Sequence, residues 1–183
     1  MNPETVNGLN IVLGIGAIAL QIFSIVALGM LFFGNKKSKF LEYIEKHFLI
    51  FGFLFSLFMM VFSLVYSEVI GFAPCHLCWL QRIFSYPLVF MFAIALWDKD
   101  KKVVRYAIPL LAIGFIISVY QNLVYYFGES STVPCDSSGV SCYQRLVDVF
   151  GGYISIPMLA LTGFFALLTL CLVVHFRQKH IAK

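Results

Sequence analysis

Residues 74–97 read PCHLCWLQRIFSYPLVFMFAIALW: two cysteines three positions apart stand at the foot of an apolar run that ends at Trp97. If the stretch is helical, Cys75, Cys78 and Arg82 share one face, and Arg82 lies about 6 Å further along the axis than Cys78. A dithiol and a fixed cation then sit together at a membrane surface. A thiolate at a helix N-terminus gains from the helix dipole and from nearby positive charge, which favours a redox role for a Cys-x-x-Cys pair. The same spacing also serves zinc sites and structural disulfides. It is not a c-type haem attachment sequence, because Trp79 rather than His follows the second cysteine. Arg82 has an ordinary reading as well, an arginine near a helix end that snorkels to the interface. His76 either tunes the pair or is a bystander.

Working outward, composition sets the class in which this motif operates. The 183 residues are 61% hydrophobic and 12% charged, with a mean hydropathy of +0.90, which excludes an ordinary soluble domain. The net charge of +4 falls in short clusters between apolar runs. The bilayer therefore explains the basic residues better than nucleic acid does.

Upstream of the motif, Phe48–Ser67 is uncharged, and before it Leu9–Phe33 has no charge in 25 residues, enough to cross a hydrocarbon core of about 30 Å. No positive residue precedes that first run and no small-residue cleavage pattern ends it, so it reads as a span rather than a signal peptide. Downstream, a short basic turn leads into Tyr106–Phe127, and a last run covers Ile154–Val174, with Ser155 as a cap and Pro157 in its first turn. The expectation is an all-α integral membrane helical bundle. It forms a single membrane domain, 1–183, with spans at about 9–33, 48–67, 78–97, 106–127 and 154–174.

Five spans force the loops to alternate sides. Eleven of the thirteen Lys and Arg fall in the Lys36–Lys46 linker, the Asp98–Arg105 turn and the tail from Arg177, all on one side; only Arg82 and Arg145 fall on the other. The positive-inside tendency makes the first side cytoplasmic, so the N-terminus, the Cys-x-x-Cys and the loop 128–152 face outward. In that loop Cys135 and Cys142 flank Asp-Ser-Ser-Gly-Val-Ser, a turn-prone stretch. In the chain-entropy model a ring of that size stabilises by only roughly 2.5 kcal/mol, a weak motive for stapling a protein already held by its membrane spans. Tyr143, Leu146, Val147 and Phe150 recur at helical spacing and suggest a two-turn helix on the bilayer surface. Cys171, inside a span, reads as a small buried hydrophobe.

Two dithiol pairs on one outward face form a far more specific constellation than either alone. The chain resembles the disulfide bond formation protein B family (DsbB and its Gram-positive BdbC-type relatives). The resemblance rests on Cys75-His-Leu-Cys78-Trp-Leu-Gln-Arg82, on Tyr86-Pro87-Leu88 in the same helix, on the later loop pair, and on Ile156-Pro157 with its apolar run. It covers about Pro74 to Val174. It implies a four-helix core, whose first helix is the second span here, plus one extra N-terminal transmembrane helix.

It further implies a bacterial cytoplasmic-membrane oxidoreductase that reoxidises an extracytoplasmic thioredoxin-fold thiol oxidase (DsbA-like) and passes the electrons to ubiquinone or menaquinone, without a metal. Carried over, Cys135–Cys142 takes electrons from the partner, with Cys135 forming the mixed disulfide, and Cys75–Cys78 receives them. Cys78 meets the quinone, and Arg82 stabilises the negative charge that develops there. Gln121 and Tyr125 either help line the quinone pocket or belong to the interfacial belt. Two departures from the family are visible: the extra helix, and a loop pair separated by only six residues where Gram-negative members space it widely. The competing readings are a vitamin K epoxide reductase-like enzyme, in which the loop pair precedes the Cys-x-x-Cys, a non-enzymatic scaffold with structural disulfides, and a four-cysteine zinc site, disfavoured on an oxidising face.

Overall fold

The computed structural model describes residues 3–34, 38–127, 147 and 149–181. Five helices make up almost all of them: α1 (Pro3–Phe32), α2 (Lys39–Leu64), α3 (His76–Asp98), α4 (Val103–Phe127) and α5 (Ile156–Ile181). A single π-helical turn, Val65–Val69, prolongs α2. All five are long and apolar enough to cross a membrane, and the chain is an all-α membrane bundle.

Local chemistry sets the helix ends. Pro3 opens α1 at the position where a missing N–H costs nothing, and Ser38 starts α2 by accepting the Phe40 N–H at 3.3 Å. Ser155 caps α5 as its sequence suggested, its Oγ accepting the Met158 N–H at 3.3 Å. Lys99, at φ 54°, turns the chain out of α3. The helices run beyond the uncharged stretches, most clearly at α2, which begins at Lys39 rather than near Phe48. Hydropathy marks only the part that lies in hydrocarbon, whereas the charged first turns are helical because they have partners. Glu45 accepts from Arg177 Nε at 2.7 Å and pairs with Lys101 Nζ at 3.5 Å, tying α2 to α5 and to the α3–α4 turn.

Helices α2 to α5 surround one core in which Phe48, Phe92 and Phe164 are fully buried. Glycines admit these rings: a Cβ on Gly52 would stand 2.6 Å from the Phe92 ring, and one on Gly114 would collide with Phe164. The extra helix α1 packs mainly along α5, joining the core through Ala27 and Leu31. Nearer its start, Leu13 and Ala17 join Tyr66, Val147, Val149 and Ile154 in a second cluster at the end of the bundle where α3 begins.

The surface helix expected through Tyr143, Leu146, Val147 and Phe150 is not formed over its described end, while Tyr143 and Leu146 lie outside the described residues. Val149 and Ile154 instead exchange backbone hydrogen bonds at 3.2 and 3.1 Å around a tight turn. Phe150, Gly151 and Gly152 all have positive φ, at 56°, 67° and 86°. The Gly-Gly pair makes that left-handed run cheap and outweighs the helical spacing of the apolar residues before it. Tyr126 on α4 fixes the turn, its hydroxyl donating to the carbonyls of Gly152 and Tyr153 at 3.2 and 2.9 Å.

Candidate functional site: a dithiol at the mouth of an apolar cavity

The chain leaves the π turn through Gly71, at φ 89°, and reaches α3 with Cys75 as its extended cap residue. The Cys75 carbonyl accepts the Trp79 N–H at 3.1 Å, so Cys78 falls in the first helical turn. Both are free thiols with their sulfurs 3.0 Å apart, close enough that a small adjustment would join them at about 2.05 Å. Cys75 is buried, and its thiol is pushed above the ordinary cysteine range, first by its hydrogen bond with Cys78 and then by desolvation. Cys75 is thus the member of the pair that holds its proton, and His76 beside it is exposed.

Three polar side chains on α3 and α4 form a chain that ends on the sulfurs. Gln81 Nε2 donates to Gln121 Oε1 at 2.7 Å and to Ser118 Oγ at 3.1 Å. With its oxygen occupied, Gln121 turns its amide N–H groups toward Cys78 Sγ at 3.2 Å and Cys75 Sγ at 3.5 Å. Gln121 is only 2% exposed, so water does not compete for this donor.

Arg82 lies one turn beyond Cys78 and points into the bundle, only 8% exposed, which sets aside the snorkelling reading. Its Nε donates to Ser63 Oγ and its Nη2 to the Ser63 carbonyl, both at 3.0 Å, and its guanidinium sits 5.0 Å from the centre of the Trp79 ring. Tyr86 also reaches Ser63 Oγ, at 3.3 Å. Among the described residues no carboxylate pairs with Arg82. A buried cation held only by neutral groups is costly at membrane depth and creates a standing site for negative charge.

Cys75, Cys78, Gln81, Arg82 and Gln121 all open on one cavity of about 820 Å³, whose remaining walls are mostly apolar side chains from α1, α2, α5 and the stretch before α3, together with Ser63, Ser67, Ser85 and Thr162. The volume suits an organic ring with an apolar substituent. The structure therefore brings Cys75, Cys78 and Arg82 together and adds Gln121 to them. Tyr125 is not a wall of this cavity; its hydroxyl reaches the Val147 carbonyl at 3.4 Å. Cys135 and Cys142 lie outside the described residues. Cys171 is fully buried in the main core.

Sequence reasoning gave no role to Ser63, Gln81 or Ser118. A signal for part of this set was present: Ser118, Gln121, Asn122 and Tyr125 recur at i, i+3, i+4 and i+7 in an otherwise apolar helix, and a polar stripe there marks the face turned from lipid. Ser63, reached from a different helix, left no such pattern.

Residues 45–174 match the family described as Disulfide bond formation protein DsbB. The chain is 46% identical to a probable disulfide formation protein C 2 of Bacillus anthracis over 111 residues, 61% of this chain and 78% of that one. It is 39% identical over 130 residues to the protein of the same name from Bacillus cereus, covering 71% of this chain and 92% of the relative. It is 43% identical over 110 residues to disulfide bond formation protein C of Bacillus subtilis, covering 60% and 78%. No solved structure matches significantly. Helix α1 precedes the matched region. A membrane bundle that carries a free Cys-x-x-Cys at the head of a span, with more than two thirds of its length inside the family's bounds, is a multi-pass protein of disulfide bond formation and belongs to the DsbB family.

Proposed function

We propose that this protein is the membrane oxidoreductase that returns a reduced extracytoplasmic thioredoxin-fold dithiol oxidase to its disulfide form, passing the electrons to a membrane quinone, either ubiquinone or menaquinone. The observation that carries the reading is the placement of the Cys75–Cys78 pair on the wall of a large apolar cavity beside a buried Arg82 that no carboxylate pairs with among the described residues. A scaffold with structural disulfides has no use for either feature. The distribution of Lys and Arg orients this end of the bundle outward, toward the partner.

In this reading a thiolate of the partner attacks the Cys135–Cys142 disulfide and forms a mixed disulfide with Cys135, displacing Cys142 as thiolate. The partner's second thiol then displaces Cys135, so the partner leaves oxidised and the loop holds two thiols. The loop dithiol reduces a Cys75–Cys78 disulfide by the same exchange, transferring two electrons and two protons and leaving Cys75 and Cys78 as thiols. A quinone bound in the cavity supplies a two-electron, two-proton acceptor. Cys78, faced by Gln121 and by the nearest buried cation, is the sulfur that reacts as the anion. Cys75 keeps its proton until Cys78 has reacted, then releases it as the disulfide re-forms. Arg82, held on two sides by Ser63, stays in place to balance charge that develops in the cavity.

Purified protein given a reduced thioredoxin-fold dithiol and decyl-ubiquinone should catalyse quinone reduction, with Cys75→Ser and Cys78→Ser both inactive. Turnover that survives either substitution, or no turnover with the intact protein, contradicts the proposal.

A further inference from the structure

Helix α1 lies outside the region shared with the family, yet it is built into the cavity that holds the sulfurs. Val12, Leu13, Gly16, Ala17 and Leu20 all face that space, together with Cys78, Arg82 and Gln121 from the opposite helices. Polar bonds fix α1 above and below this stretch. Above it, the Tyr66 hydroxyl donates to Asn10 Oδ1 at 2.6 Å, both residues being buried. Below it, Gln21 Nε2 donates to Thr162 Oγ1 on α5 at 2.7 Å, and the Tyr153 hydroxyl donates to Gln21 Oε1 at 2.7 Å. Hydrogen bonds of this kind hold membrane helices in a set register, because lipid offers no replacement for them. A helix serving only to set topology has no need of two such clamps around a cavity.

The glycines of α1 divide by what stands opposite them. Gly14 is closely packed, since a Cβ there would lie 3.0 Å from the Phe150 ring. Gly16 has no such neighbour: it is exposed at the open rim of the cavity, and a Cβ at that position would meet nothing within 4 Å. Glycine inside a helix costs about 1 kcal/mol relative to alanine, so the open space at Gly16 is kept against helix propensity.

We infer that α1 is a wall of the quinone site and that Gly16 sets the room available to the quinone opposite Cys78 and Arg82. The inference rests on the quinone reading above and adds to it a specificity element absent from the family's shared region. A side chain at position 16 grows into the cavity without displacing backbone, so it competes with the quinone for space while leaving the dithiol, Arg82 and Gln121 untouched.

The test uses the full chain in detergent and measures the equilibrium dissociation constant for decyl-ubiquinone, not turnover alone. Gly16→Ala and Gly16→Leu should weaken binding in that order, by about tenfold for Leu, as overfilling of a packed site does. Gly29→Leu, on the same helix and also free of neighbours within 4 Å but away from the cavity, should bind as the unaltered protein does. Alkylation of Cys78 in all variants should proceed at the unaltered rate. Independently, an azido-quinone photolysed on the unaltered protein should label the α1 segment between Val12 and Leu20. Unchanged affinity in folded Gly16→Leu, or label confined to the other helices, overturns the inference and leaves the quinone reading standing. If the unaltered protein binds no quinone, the quinone reading itself fails and this inference falls with it.

Discussion

Replacing Gln121 by Leu removes the amide donor from the Cys78 sulfur, together with its longer contact to Cys75 Sγ at 3.5 Å. The side chain keeps nearly its volume, and Gln81, which loses the Gln121 oxygen, retains Ser118 Oγ at 3.1 Å. What goes is the N–H donated to Cys78 Sγ at 3.2 Å from a site shielded from water. A hydrogen bond to a charged group contributes about 1.5–3 kcal/mol, and at about 1.4 kcal/mol per factor of ten this converts to a fall of about 10- to 150-fold in the ionisation constant of Cys78. The assay is the rate at which iodoacetamide modifies Cys78 in the reduced protein near neutral pH, followed by mass spectrometry. Gln121→Glu sharpens it, since the variant keeps the acceptor for Gln81 but turns a carboxylate toward the sulfur, and should slow the reaction further. Alkylation of folded Gln121→Leu at the unaltered rate would refute the claim that this amide supports the reactive sulfur.

Arg82→Leu should depress quinone reduction by at least about tenfold while exchange between the loop cysteines and the partner dithiol persists, because only the first process develops charge beside the guanidinium; equal loss of both in a folded variant contradicts the role given to it. Titrating alkylation with pH should separate the two thiols: a raised pKa means less thiolate at any given pH, so at about pH 8.5, where an ordinary cysteine is half ionised, Cys75 should remain almost unmodified while Cys78 is labelled. Comparable labelling of both refutes that order. Gly114→Ala should lower the thermal midpoint by an amount corresponding to about 1–3 kcal/mol, because its Cβ meets the fully buried Phe164 ring; an unchanged midpoint would show that the ring moves freely.

The bundle was legible because runs as long and as free of charge as Leu9–Phe33 suit hydrocarbon and little else, and the dithiol because two cysteines and an arginine share a helical face. The charged first turns of α2 were not, since their helicity depends on Arg177 and Lys101, which are distant in sequence from Glu45. The turn at Phe150 escaped a reading by apolar spacing because the two glycines after it, rather than the residues that carry the spacing, decide its shape. Gln121 was visible as a polar residue near a span end, but its part beside the sulfurs comes from Gln81, 40 positions earlier, holding its oxygen. The place of α1 was least legible of all. Its contacts through Asn10 and Gln21 are single polar residues in an apolar helix, and nothing local says that Tyr66, Tyr153 and Thr162 meet them.

The central claim is that two electrons leave this protein through Cys75 and Cys78, and an anaerobic single turnover tests it most directly. Fully reduced protein is mixed with one equivalent of decyl-ubiquinone, the quinol formed is measured, and the thiols lost are located by alkylation and peptide mapping. The account predicts that each quinol formed within the first turnover accompanies loss of the Cys75 and Cys78 thiols together, ahead of any loss at Cys135 and Cys142. Quinol formed with both thiols intact, or oxidation that begins at the loop pair, would contradict it.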